Sequence, residues 1–573
     1  MTGGHTTATR ILALLLFAVT LLAACAPAPG RSGAAVGDRS ASAAAQSTRT
    51  LTFIMRVEPP EMLGGADDRA HVHKPLFSAT LGIWDQNGAP TPVLAEAVPL
   101  LNTDSWRVFP DGRMETVYRL RPGLTWHDGA PLTAEDVVFT HRVNQARADW
   151  GLTTAAYEHR QMEEVLAPDA RTVVIRWRQA FVEAPAPEMV PLPRHLLEAA
   201  LDRGEQEAFG NHPYWTIGFI GAGPYALDRW EPGAFIEGVA FPGYALGKPS
   251  ISRVRLTWNN DPNVSLTRLL SGDADISLDG SLRFEQASVV RQQWGSSGTV
   301  LLSPTSLRYI QVQARPDFVS PRSLLDVRVR RAVLHSIDRP ALADAMLEDR
   351  SMVADTVPPP TVGYHSALDR AVTKYPFDPR RTQQLLAEAG YTRGSDGVYT
   401  SAVDGRFRLE VRGVSSGAEE RDTTIVADQL RAAGFDPSIL LLPSSQRSVD
   451  DKAKGTFPAL TLNNNTLSRR DMGLDKWLSA RIGSPENDWL GGNRMGWSNP
   501  EFDRLFDAWS TTLDLARAND TMVQMMKLLS DEVPHLPLYY NFQVVAHTGT
   551  LGGPQPPQPE ATRFGNVAQW AWR

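Results

Sequence analysis

The sequence predicts α/β lobes, two or three domains in all. Strand-like and helix-like stretches alternate along the chain with short turn signals between them. The body of about 520 residues also exceeds what one hydrophobic core usually holds. Disulfides cannot help, because Cys25 is the only cysteine. Stability must come from large cores, to which 15 Trp and 20 Phe contribute area.

In chain order, the first element is a targeting segment. Arg10 precedes an apolar run from Ile11 to Ala24 that ends in Leu22-Ala23-Ala24-Cys25, a small-residue cleavage pattern with cysteine as the first mature residue. Residues 1–24 are read as a lipoprotein signal peptide and Cys25 as the lipidation site, linked by thioether to diacylglycerol. The run is 14 residues, short of the ~20 that cross a bilayer as a helix. Residues 25–49 are small and polar with Pro and Gly, a flexible tether. The chain is expected to be exported and membrane-anchored, facing the periplasm or the cell exterior.

The body follows. LTFIMRV from Leu51 reads as a buried strand stopped by Pro59-Pro60, and TVYRL from Thr116 as a strand stopped at Pro122-Gly123. Thr133 and Asp136 have capping-box spacing ahead of Val137, Phe139 and Val143. Asp326, Asp338 and Asp378 look like caps of three further helices, and Gly390 and Gly434 close two. Net charge is −7 with no long basic run, which argues against nucleic acid. No CxxC zinc site is possible, and no cofactor is implied.

The string LRPGLTWHDGAPLTAEDVVFT from Leu120 resembles a signature of the extracellular solute-binding proteins of peptide, oligopeptide and nickel ABC importers (family 5). Further matches follow in the family's order, among them GAGPYALDRWEPG from Gly221, LLSGDADIS from Leu269, LLDVRVRRAVLHSIDR from Leu324, FDPRRTQQLLAEAGY from Phe377 and WSNPEFDRLFDAW from Trp497. The resemblance implies a two-lobed periplasmic-binding-protein-like clamp, class II, with an inserted domain. Lobe I would comprise 50–72, 196–305 and 536–573, the inserted domain 73–195 and lobe II 306–535, with crossing strands near 300–310 and 532–542 as hinge. It also implies a monomer that takes a peptide or other small polar ligand and hands it to ABC permease subunits.

The resemblance places main-chain ligand contacts on Pro60, Glu61, Met62 and Leu63 and on a late segment holding Asn463, Asn464 and Asn465. Peptide binders of this type carry an aspartate in the late segment for the peptide's ammonium. Three asparagines here lead us to expect a ligand without a buried free ammonium, unless Glu61 or Asp488 substitutes. Asn463–Asn465 read equally well as a loop. Trp489 and Trp497 are candidate pocket walls, against the commoner role of core tryptophans. His71-Val72-His73 is a weak metal pair, and no metal is expected.

Among enzyme readings, Gly413-Val414-Ser415-Ser416-Gly417 fits GxSxG between a strand and a helix, with His535 and His547 downstream. No oxyanion motif accompanies it, and Ser415 as a hydrolase nucleophile is the minor alternative to binding without catalysis. Glu135-Asp136 and Glu419-Glu420 read as helix-start charges. A sensor on the same fold is the other alternative.

Overall fold

Alternation along β1 (Thr50–Met55) sorts its side chains to two faces. Leu51, Phe53 and Met55 enter one core, and Ile54 enters a second core on the other face. The computed structural model describes residues 49–63, 73–150, 157–278, 280–415, 417–443, 450–467, 472–559 and 561–573. Cys25, the expected signal peptide, the expected tether up to residue 48 and His71 lie outside the described residues.

A separate antiparallel sheet follows β1 in the chain. Its strands are β2 (Trp106–Val108), β3 (Met114–Arg119), β4 (Met162–Asp169) and β5 (Thr172–Trp177), in the order β2–β3–β5–β4. Helix α1 (Ala134–Asp149) starts with the expected Thr133–Asp136 capping box. Its Ala134 and Val137 pack in the core of this sheet, with Trp126 and Trp177. Phe139 and Val143, on the opposite face of the helix, enter the β1 core. A single helix thus belongs to two cores.

The WHDG and GAGP motifs meet at the same junction. The main-chain N–H of His127 donates to Gly221 O, its Nδ1 accepts from Gly221 N at 3.2 Å, and its Nε2 lies 3.0 Å from Gly223 O. That pattern requires a neutral imidazole with its proton on Nε2. Burial favours this form, pushing the ring down to about 4 against the opposing pull of the Gly223 carbonyl. The glycines are needed for close approach: a Cβ on Gly221 would sit 2.0 Å from Phe77 O, and one on Gly223 2.3 Å from Phe77 C.

Among the described residues the main sheet has ten strands. After β1 come β6 (Tyr225–Glu231), β7 (Phe235–Ala240), β8 (Arg253–Trp258) and β9 (Ile276–Ser277). The long β10 (Gly298–Val312) leads into β11 (Arg408–Val414), β12 (Asp436–Leu442) and β13 (Leu460–Thr466), and β14 (His535–Thr548) returns. From edge to edge the order is β12–β11–β13–β10–β14–β9–β1–β8–β7–β6. Among the described residues only β10 and β14 run through both halves, paired antiparallel with register shifts between Ser303 and Ser306 and between Arg308 and Tyr309. Bulges there bend the pair where the halves meet.

Each half has its own packing. In the second half, Ile310 and Val312 of β10 face one core and Leu307 and Tyr309 another. Its helices start where the sequence places caps, with Asp326, Asp338 and Asp378 accepting from Arg328, Ala341 and Arg380 main-chain N–H groups. Asn463–Asn465 differ from the loop reading. They are strand, paired to Tyr309, Arg308 and Leu307, because the ladder with β10 overrides the weak strand preference of asparagine.

Candidate functional site

The junction of the two halves holds a buried cluster of charge. Arg308, on the crossing strand β10, has a side chain only 2% exposed. Its Nε and Nη2 bind Asp422 Oδ2 and Oδ1 at 2.6 and 2.8 Å, a bidentate fork. Asp422 belongs to helix α2 (Gly417–Ala433), and Tyr539 of β14 donates to its Oδ2 at 2.9 Å. Burial works to lower the Arg308 pKa, but Asp422 and then Glu419 outweigh it and hold the guanidinium above its ordinary value. Burial, reinforced by the Asp422 charge, pushes the Tyr539 phenol well up.

The network reaches the asparagines. Asn464 Nδ2 donates to Glu419 Oε1 at 2.8 Å. Because an ionised carboxylate only accepts, this contact fixes the amide orientation. Asn464 Oδ1 is buried without a partner, as is Arg308 Nη1, which lies 3.9 Å from Glu419 Oε1. The remaining asparagines are committed elsewhere: Asn463 Oδ1 accepts the Asn464 N–H, and Asn465, 1% exposed, donates to Met472 O. The parallel ladder between β11 and β13 stops at Arg412–Thr461. Among the described residues, that edge of Asn463–Asn465 therefore carries no strand.

Side chains from the first half reach the same place. Glu285 of helix α3 (Phe284–Trp294) pairs with Arg421 at 2.5 Å, and Phe284 stacks on Phe542 at 5.8 Å. The Arg283 guanidinium lies against Gly417, where a Cβ would come within 2.4 Å of Nη1. Arg-x-Glu at the start of one helix thus opposes Glu-x-Arg in the first turns of the other.

The other expected site residues are placed apart from this junction. Met62 and Leu63 are buried in the β1 core, and the Met62 main chain is occupied: its N–H donates to Trp215 O and its carbonyl lies 3.2 Å from His73 Nε2. The Met62 main chain is thus engaged on both its N–H and its carbonyl within the fold. Glu61 is half-buried, its carboxyl pushed up by burial against the pull of Arg147 and Lys74. Asp488 is exposed. Trp489 lies between Arg315 and Lys452, 5.6 and 6.0 Å from its ring, with Arg315 just past the C-terminal end of β10. Trp497 is buried edge-on to Phe502 in a core, the commoner role.

Ser415 does not meet a histidine among the described residues. It is exposed at the end of β11, its main-chain N–H bonded to Leu442 O. His535 is buried against Tyr309 and Trp477 and pushed down to about 3 by burial. Among the described residues no group of three or more His, Cys, Asp or Glu could hold a metal ion, and no helix is long and apolar enough to cross a membrane. Sequence reasoning missed Arg308 and Asp422, and it read Glu419 as a helix-start charge rather than as part of this network. One signal was available: an arginine inside the apolar strand LRYIQV needs a buried acid.

A ten-stranded mixed sheet in two halves, joined by a crossing pair with a charged junction, is the fold of the two-lobed binding-protein clamps. It resembles the oligopeptide-binding protein of Thermus thermophilus solved with a pentapeptide (TM-score 0.75, 23% identity, 91% of this chain and 96% of that one). Likewise it resembles NikZ of Campylobacter jejuni solved with Ni(L-His) (TM-score 0.72, 19% identity, 91% and 99%). In sequence, the glutathione-binding protein GsiB of Escherichia coli K12 is 25% identical over 460 residues, 78% of this chain and 82% of the relative. The family model for bacterial extracellular solute-binding proteins, family 5, matches residues 96–481. The chain belongs to that family.

Proposed function

We propose that this protein is the substrate-binding lipoprotein of an ABC importer, capturing peptides or similar polar oligomers between its lobes and delivering them to a membrane permease. In this reading lobe I is 50–72, 196–305 and 536–573, the inserted domain is 73–195 and lobe II is 306–535. Cys25 carries the lipid that tethers the body. Family membership and relatives that bind a pentapeptide and glutathione support the ligand class.

The observation that carries the reading is the strand edge at Asn463–Asn465. It is open on its β11 side and sits beside the inter-lobe contact of Arg421 and Glu285. Such an edge binds extended main chain with little dependence on sequence, while neighbouring side chains supply selectivity. Closure of the lobes over the ligand then presents one surface made from both to the permease.

The test is native mass spectrometry of freshly purified protein, followed by thermal unfolding with a tripeptide library of the form Ala-Xaa-Ala. A co-purified peptide-sized mass is expected, as is a stability gain of about 2.7 kcal/mol at a hundred times Kd, with no peptide consumed. Absence of both mass and gain, or hydrolysis of the library with fluorophosphonate labelling at Ser415, would overturn the reading.

A further inference from the structure

We propose that Arg283-Phe284-Glu285, at the start of helix α3, is a latch that holds the two halves of the clamp together and so scales affinity for every ligand alike. It rests on the closing clamp of the reading above and not on the ligand class given there.

Three consecutive residues of the first half each find a different partner across the junction. Phe284 packs against the second-half core that contains Ile310, Val426 and Leu430, as Ala418 and Ile425 of α2 also do. It stacks on Phe542 with the ring planes 26° apart. Phe542 lies on β14 opposite the bulge between Ser303 and Ser306, where the crossing pair bends. On one side of Phe284, the Arg283 guanidinium lies against Gly417, whose φ of +40° and missing Cβ both suit glycine. On the other side, Glu285 takes Arg421 of α2.

The rest of helix α3 behaves differently. Ala287 and Val290, with Leu282 just before the helix, sit in the first-half core that Ile54 of β1 enters. A phenylalanine serving only the stability of its own half would join them. Phe284 instead crosses over, so its contact exists only while the halves are together.

Charge explains the flanking residues. The contact brings the starts of α2 and α3 to one place, and helix N-termini each carry partial positive charge. Glu285 in the first turn of α3, with Glu419 and Glu420 in the first turn of α2, offsets that repulsion. The Arg421–Glu285 pair itself is 46% and 41% exposed, so it contributes little and mainly sets where the ring lands. Burial of the ring and its stacking on Phe542 form the larger part of the latch.

The consequence for binding follows from populations. None of the three residues lies on the Asn463–Asn465 edge, so the latch acts on the open–closed equilibrium rather than on ligand contacts. The apparent Kd of a ligand that needs the closed form is its intrinsic Kd divided by the closed fraction. Loosening the latch therefore weakens all ligands by one common factor and leaves their ranking alone.

The test combines small-angle scattering of the ligand-free protein with titration calorimetry of Ala-Xaa-Ala tripeptides. It uses wild type, Phe284→Ala, Phe542→Ala, their double variant, Arg421→Ala, and Phe377→Ala, which removes an exposed ring from the second half alone. Unfolding curves check that each variant folds. Phe284→Ala should enlarge the ligand-free protein and weaken each tripeptide by about tenfold, with saturating peptide restoring the wild-type dimension. Phe542→Ala should do the same, and the double variant should be little worse than either single one. Arg421→Ala should stay within about threefold of wild type, and Phe377→Ala should change nothing. Unchanged dimensions in Phe284→Ala overturn the latch, as does a loss that differs from one tripeptide to another, which would make Phe284 a ligand contact. If no tripeptide binds wild type, the ligand class falls, and scattering alone decides on the latch.

Discussion

The junction at His127 and the junction at Arg308 both join large parts of this molecule, and they are built in opposite ways. At the first, WHDG and GAGP interlock through main-chain groups and a neutral imidazole, every polar atom of the ring is used, and two glycines leave no spare space. At the second, Arg308 of a crossing strand meets the carboxylates of helix α2, and Arg308 Nη1 and Asn464 Oδ1 make no hydrogen bond. A saturated junction fixes geometry. An unsaturated one has capacity left for a ligand, and buried unpaired groups persist only where something compensates them.

The sharpest way to break the comparison is to unbalance the charged junction. Asp422→Ala should cost about 3–5 kcal/mol of stability, because it strands the Arg308 guanidinium in the interior. The double variant Arg308→Met with Asp422→Leu should regain most of that, measured by urea unfolding. An equally large loss in the double variant would mean that packing, not charge, dominates there.

Gly221→Ala should cost about 1–3 kcal/mol, since its Cβ would press on the Phe77 carbonyl. The variant should leave binding of the tripeptide library unchanged. Changed binding would remove the distinction between the two junctions.

Acid should act next. The His127 ring is held near 4 in the folded chain and titrates in the ordinary histidine range once unfolded. Between those values the unfolded chain binds more protons, so the stability this burial supports is complete above pH ~6.5 and falls as pH drops toward 4. His127→Gln, which can keep one of the two bonds, should start less stable and lose less between pH 6.5 and 4.5. An unchanged pH slope in thermal unfolding would contradict the burial argument.

The smallest effect belongs to the cross-lobe ion pair. Arg421 and Glu285 are 46% and 41% exposed, so Arg421→Ala should change stability by no more than about 1 kcal/mol. Calorimetric unfolding checks it, and a larger loss would make this pair a structural tie.

Much of the scaffold was legible in the sequence because its signals are local. Thr133 with Asp136, and Asp326, Asp338 and Asp378, carry their capping chemistry within a few residues. The junction was less legible because its parts are far apart in the chain: Arg308 and Asp422 are separated by 114 positions, and Asn464 and Glu419 by 45. Glu419 looked like an ordinary helix-start acid, and Asn463–Asn465 looked like turn formers, until pairing with β10 made them strand. Trp497 shows the converse, since an apolar side chain weighed as a cleft wall can equally be core.

Hydrogen exchange with and without the Ala-Xaa-Ala library tests the central claim, that the charged junction is where ligand acts, most directly. The account predicts slower exchange in residues 283–290, 417–424 and 462–466 together, with no change in 126–130 and 221–225. Protection confined to one lobe, or greatest at the His127 junction, would contradict it.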